Sequence, residues 1–141
     1  MIEIIGNPTI ELKKKMEEYN IEYRIKTNIS KEKVCEKHME CDVLYFASLS
    51  EGFELPIIEA QAIGNPVITG STLPTKEVAG DVAILVDPHS YSDIRTAIKT
   101  LIQDNVFREK LIQRGFINVR KYAPAVVAKK YFHFYQSYFQ I

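Results

Sequence analysis

One stretch of the chain gathers the groups best suited to chemistry: Ser48-Leu49-Ser50-Glu51-Gly52-Phe53-Glu54-Leu55-Pro56-Ile57-Ile58-Glu59-Ala60. Pro56 suits the first turn of a helix, where its missing N–H has no partner to lose. The amides of Phe53, Glu54 and Leu55 then fall at a helix N-terminus. Unpaired N–H groups and the positive end of the helix dipole attract phosphate there. Gly52 lets the backbone come close to a ligand. Glu59, about one turn inside the helix, can accept hydrogen bonds from two adjacent sugar hydroxyls, as the acidic residue of dinucleotide folds does. Glu51 lies in the loop, free to meet a ligand. The competing reading is an ordinary strand–loop–helix corner, with Glu54 complementing the dipole and Glu59 a solvated helix residue.

Such a corner needs a scaffold, and the hydrophobic pattern supplies one. Ile2–Ile5 reads as a strand ending at Gly6, and Asn7-Pro8 as the cap and first residue of a helix through Thr9–Tyr19. Ile21–Lys26 reads as a second strand, followed by a helix from Ser30 to Met39. Asp42–Ala47 is a compact apolar run, expected to be a strand buried on both faces. The site loop leads into a helix over Pro56–Ile63 that closes at Gly64. Pro66–Thr69 and Val82–Val86 read as strands, with a short helix at Lys76–Ala79 between them. Ser90 or Ser92 caps a helix with Ile94, Ala97, Ile98, Leu101 and Ile102 on its apolar face. Asp104-Asn105 breaks it, and a second helix runs to about Tyr122 with Phe107, Leu111 and Val119 inward. Pro124 opens a last helix. Alternating strands and helices predict a Rossmann-like α/β fold in three layers, α/β/α, with a parallel sheet of about five strands and a helical C-terminus.

The 141 residues are one domain's worth and enough to bury a core. Lys plus Arg and Asp plus Glu both number 18, so no broad basic footprint invites nucleic acid. No apolar run is long enough to predict a transmembrane segment, and MIEIIGNP does not resemble a signal peptide. Two cysteines make no disulfide framework, so a cytoplasmic setting is expected.

Glu51 and Glu59 are separated by seven intervening residues in the frame S-x-x-E-G-F-x-L-P-x-x-E-A-x-A-x-G-x-P-V-I. This resembles the E-x7-E signature of GT-B glycosyltransferases in the large retaining family 4, the glycosyl transferases group 1. Ile4-Ile5-Gly6, Cys41-Asp42-Val43, Glu77-Val78-Ala79-Gly80, Val86-Asp87-Pro88 and the pair Tyr131 and Tyr135 resemble further segments of that family. The resemblance covers residues 1–141 as a single domain, the C-terminal, nucleotide-sugar-binding half of the fold. It implies that Glu59 binds the ribose hydroxyls of a UDP- or GDP-linked sugar and that Glu51, the catalytic candidate, faces the transferred hexose. The backbone of Gly52, Phe53, Glu54 and Leu55 would hold sugar hydroxyls and the distal phosphate. It implies no metal and no cofactor, a polysaccharide or glycolipid acceptor, and a full-length enzyme that can be membrane-peripheral.

The sequence departs from the family at its start. The family's first strand and helix bring a Gly-Arg and a downstream Lys to the diphosphate, and Lys13, Lys14 and Lys15 do not match them. The N-terminal acceptor domain has no counterpart either, so the isolated chain is expected to be inactive. The alternative is a non-catalytic binding module, a half-enzyme or a degenerate remnant. Without the first strand, the family order 3-2-1-4-5-6 is expected to close to 2-1-3-4-5. That order is shared by receiver domains, but Ala47 and Ser48 stand where their phosphoacceptor Asp would be. A GT-B epimerase is a weaker enzyme reading, since the frame points to transferases.

Cys35, His38 and Cys41 do not converge on a helix, so no metal site is expected there, but rather buried thiols and a surface histidine. Seven of the 15 aromatic residues fall in 122–141. Tyr131, Phe134, Tyr135 and Tyr138 share one helical face. Packing into the core is one reading. The other is a face left partly exposed without the N-terminal domain and able to drive self-association.

Overall fold

The computed structural model describes residues 1–48 and 54–139, which form two compact units, Met1–Lys37 and His38–Ile141.

In the first unit, β1 (Ile2–Ile5) and β2 (Tyr23–Lys26) pair in parallel, Ile2 opposite Tyr23 and Ile5 opposite Lys26. The crossover carries α1 (Ile10–Glu18), and α2 (Lys31–Glu40) follows β2. Thr9 caps α1, its hydroxyl accepting from the Leu12 amide at 3.2 Å, so the helix starts two residues beyond the expected Asn7-Pro8 cap. A threonine hydroxyl accepts an N-terminal amide well. The core here is shallow: Met16 alone among these residues is buried. Glu3 points inward from β1 and meets the Lys37 ammonium at 3.6 Å.

In the second unit, β3 (Leu44–Phe46), β4 (Val67–Gly70) and β5 (Ile84–Val86) form a parallel sheet in that order. α3 (Leu55–Ile63) and α4 (Leu73–Ala79) are its crossovers, followed by α5 (Tyr91–Gln103), α6 (Asn105–Val119), a 3-10 turn (Arg120–Tyr122) and α7 (Pro124–Phe139). Successive strand residues point to opposite faces, and β4 shows what each face meets. Val67 packs with Ile57, Ala60 and Val78 of α3 and α4. Ile68 packs with Ala97, Leu101 and Leu111 of α5 and α6. The sheet therefore lies between two helical layers, the expected α/β architecture. All four residues of β4 are buried.

Strand order within each sheet is the expected one, β2-β1 and β3-β4-β5. The β1–β3 ladder that would join them into 2-1-3-4-5 is not among the strand pairings of the described residues. Two further expectations are corrected. Tyr45 is 48% exposed, so β3 is not buried on both faces. Ile98 and Ile102 are exposed, which narrows the apolar stripe of α5 to Ile94, Ala97 and Leu101.

Candidate functional site

The C-terminal ends of β3 and β4 lie side by side, and each feeds a helix. Thr69 secures them, its hydroxyl donating to the Phe46 carbonyl at 2.6 Å. Gly70 ends β4 where a side chain would be tight: a Cβ would sit 3.3 Å from Pro88 Cγ and 3.5 Å from the Ser48 carbonyl oxygen. The loop ends after β3, β4 and β5 thus converge at Gly70. Sequence reasoning missed its role, because a glycine at a strand end reads as a plain stop.

α3 begins at Leu55, with Pro56 in its first turn and Glu54 as the N-cap residue. The Ile57 amide donates to the Glu54 carbonyl at 3.1 Å. The Glu54 side chain makes no capping bond. It turns away and is buried, 2% exposed, with Oε1 accepting from the Thr75 hydroxyl of α4 at 2.6 Å. The Thr72 and Thr75 hydroxyls are 2.5 Å apart. An ionised carboxylate only accepts, so the chain has one direction: Thr72 donates to Thr75, and Thr75 to Glu54. Glu54 Oε2 is buried and has no hydrogen-bond partner among the described residues. Glu54 therefore neither caps its helix nor stands in solvent at its dipole. It ties α3 to α4. Nothing in the sequence pointed to Thr75 as its partner, which lies 21 residues away in the chain.

Glu59 sits one turn along α3 and is half-buried, flanked by the buried Ile57, Ile58 and Ala60. Its charge acts on His38. Burial holds the His38 imidazole below its ordinary pKa, and the Glu59 carboxylate opposes that shift. His38 is buried at 6% exposure, while Cys35 and Cys41 are partly exposed. The expected surface histidine and buried thiols are thus reversed: the end of α2 packs its imidazole inward, with the His38 carbonyl accepting from the Asn65 side chain just past α3. Among the described residues, no group of three or more His, Cys, Asp or Glu is placed to hold a metal ion.

Leu55, Glu54 and Glu59 are thus placed at and beyond the opening of α3. Glu51, Gly52 and Phe53 lie outside the described residues. At the far end, Gly64 closes α3 in the left-handed conformation at φ 95°, and its amide donates to Gln61 O. Gln61 and Asn118 are both buried. Asn118 Nδ2 donates to Gln61 Oε1 at 2.9 Å and to Val78 O at 3.0 Å, and Gln61 Nε2 donates to Ala79 O at 3.3 Å. This network binds α6 to α3 and to the end of α4, so the helix carrying Glu59 is held from both ends.

A parallel sheet held between two helical layers, with α3 leaving the end of β3, is a Rossmann-like arrangement of the kind that forms half of a GT-B enzyme. Residues 1–117 match the family model described as glycosyl transferases group 1, and the chain belongs to that family. It is 33% identical over 78 residues to O-antigen chain mannosyltransferase B of Escherichia coli, covering 55% of this chain and 20% of that protein. It is 33% identical over 89 residues to D-inositol 3-phosphate glycosyltransferase of Corynebacterium glutamicum, covering 62% and 21%. The chain thus spans about a fifth of the length of these curated relatives. Among solved structures, the C-terminal domain of the group 1 glycosyl transferase LpcC from Francisella tularensis is 28% identical, with a TM-score of 0.67 over 79% of this chain and 60% of that one. Sucrose-phosphate synthase from Thermosynechococcus elongatus superposes with a TM-score of 0.80 at 20% identity, over 98% of this chain and 38% of that one. Anabaena HepE, solved with UDP and glucose, reaches the same TM-score at 18% identity, over 96% and 40%. The fold is that of the C-terminal domain of a GT-B glycosyltransferase.

Proposed function

We propose that this chain is the nucleotide-sugar-binding domain of a retaining glycosyltransferase that moves a hexose from a UDP- or GDP-linked donor to a polysaccharide or glycolipid acceptor. The observation that carries the reading is the opening of α3. Glu54 caps it by position but lends its carboxylate to Thr75, so the helix start is not closed by its own side chain. The amides of residues 52–55 take the distal phosphate and the sugar hydroxyls, and Glu59 takes the ribose hydroxyls. Glu51 faces the transferred sugar. Holding the diphosphate as negative charge develops on it is the main work of such a site, through preorganised N–H groups and positive charge.

The names of the relatives support this reading. One is a mannosyltransferase of O-antigen chains, another a glycosyltransferase of inositol phosphate, and HepE was solved with UDP. No basic pair matches the family's Gly-Arg and Lys, and a transferase cleft holds donor and acceptor between two domains.

Calorimetric titration of the chain with GDP and with UDP tests the reading. Wild type binds one of them, and Glu59→Ala weakens it by about 1.5–3 kcal/mol, the worth of a charge-assisted hydrogen-bonded contact. Equal affinity in the two proteins removes Glu59 from its role. No nucleotide binding at all removes the donor-site reading.

A further inference from the structure

Two hydroxyls beyond the end of β4, those of Thr72 and Thr75, have no role in the binding of a nucleoside diphosphate. Thr75 is 1% exposed and committed, its hydroxyl donating to Glu54 Oε1 at 2.6 Å. Thr72 stands one hydrogen bond further out, its Oγ1 2.5 Å from Thr75 Oγ1, and is partly exposed. It is the N-cap residue of α4, yet its side chain makes no capping bond. Its main-chain carbonyl accepts from the Lys76 amide at 3.0 Å, so α4 starts without the hydroxyl.

We propose that Thr72 recognises the transferred hexose by accepting a hydrogen bond from one of its hydroxyls, an inference that rests on the donor-site reading. Three observations carry it. The first is polarity. A hydroxyl has one proton to give and two lone pairs to accept with. The Thr75 proton is taken by the Glu54 carboxylate, and the Thr72 proton by Thr75. What Thr72 turns outward is therefore acceptor only. A sugar-linked diphosphate carries no proton near neutral pH and has nothing to donate to it. A hexose hydroxyl has.

The second observation is place. Thr72 lies two residues beyond Gly70, where the loop ends after β3, β4 and β5 converge. Through Thr75 it is two hydrogen bonds from Glu54, the N-cap residue of α3. The N–H groups assigned to the phosphate and the acceptor on Thr72 are thus neighbours. A hexose joined to a phosphate calls for both, N–H groups for the anion and an acceptor for a hydroxyl. The third is preorganisation. A hydroxyl on an open surface turns its proton to suit whatever it meets and discriminates little. Thr72 is tethered to a buried partner that is itself tethered to a buried carboxylate, so its acceptor is aimed before a ligand arrives.

Calorimetric titration of wild type, Thr72→Val and Thr72→Ser with UDP, UDP-glucose, GDP and GDP-mannose is the test. Valine keeps the shape and removes the acceptor, and serine keeps the acceptor. For the nucleotide that wild type binds, Thr72→Val takes the sugar ester about three- to tenfold more weakly, the worth of one neutral hydrogen bond, and the loss does not extend to the diphosphate alone. Thr72→Ser recovers the affinity for the ester. Glu59→Ala, which removes a contact to the ribose, weakens ester and diphosphate alike. A Thr72→Val protein that takes the ester as wild type does overturns the proposal and leaves the donor site standing. So does one that loses ester and diphosphate equally, since the hydroxyl then only holds α3 and α4 in place. Binding of none of the four ligands overturns it together with the donor-site reading.

Discussion

Replacing Thr75 by valine tests whether Glu54 is the tie between α3 and α4. Valine keeps the shape and removes the hydroxyl. Thr75 is 1% exposed and Glu54 2%, so water cannot take over the lost contact without opening the core. The bond at 2.6 Å is charge-assisted, and losing such a bond costs about 1.5–3 kcal/mol. The upper part of that range applies, because Oε2 has no donor among the described residues and Thr75→Val takes from the buried carboxylate the one that Oε1 has there. At roughly 3–5 °C per kcal/mol for a chain of this length, Tm falls by about 5–12 °C. Glu54→Leu/Thr75→Val removes the charge together with its partner and is less damaging than Thr75→Val alone. Differential scanning calorimetry of wild type, both single variants and the double variant completes the cycle. A Thr75→Val protein that melts with wild type, or strictly additive effects, refutes the tie.

Three other measurements bear on the same scaffold. Gly64→Ala destabilises by about 1–3 kcal/mol in urea, since the residue sits at φ 95° and its Cβ would meet the Phe116 ring at 3.0 Å. An effect below that range means that Phe116 gives way and the left-handed cap is relaxed. Asn118→Leu leaves Gln61 Oε1 without its buried donor, and Val78 O with the Tyr122 hydroxyl as its side-chain donor, and costs about 1–3 kcal/mol by urea midpoint, while Gln113→Leu on the exposed side of α6 costs little. His38 titrates below its unfolded value of 6.5, so the unfolded chain binds the proton first. Its contribution to stability is complete above pH 6.5 and is lost as pH falls from there toward the folded value. Tm measured from pH 7.5 to 5 falls less steeply in His38→Gln than in wild type, and identical slopes count against a buried neutral imidazole.

The parts of the fold legible in the sequence are those that local chemistry dictates. Pro56 and Gly64 bracket α3, and Ser90 and Asp104 cap α5 and α6 through their own side chains, accepting from the Asp93 and Phe107 amides. The run Val67–Gly70 is buried on both faces because sheet geometry demands it of a central strand. What escaped the sequence depends on distance along the chain. Thr75 and Glu54, Asn118 and Gln61, and Gly70 against Pro88 are long-range juxtapositions, and no periodicity encodes them. Tyr45 was misjudged for a related reason. An apolar run shows that a strand is present, but not whether a second layer covers its outer face. The aromatic face of α7 could be read as a stripe from its spacing, whereas its exposure depends on what stands opposite, which no single chain specifies.

The diversion of Glu54 matters most for how the candidate site works. A carboxylate at an N-cap position normally accepts from the amides one turn ahead and so satisfies them. An anion arriving at such a helix would meet a negative charge at short range and amides already in use. Here α4 draws that charge aside through Thr75, and Ile57 is satisfied by the Glu54 main-chain carbonyl instead. The helix thus keeps its cap geometry while its side-chain acceptor points elsewhere. The cost is a buried oxygen, Oε2, with no donor among the described residues, which a core selected for stability alone would exchange for an apolar group. Glu54→Asp separates these contributions. Its shorter side chain cannot reach Thr75 from the same backbone and is free to cap α3, so the variant gains a capping bond and loses the tie. If the open helix start is what takes a phosphate, Glu54→Asp binds GDP or UDP more weakly than Glu54→Gln, which keeps the length and the contact to Thr75. Equal binding by the two variants would mean that the anion is held elsewhere.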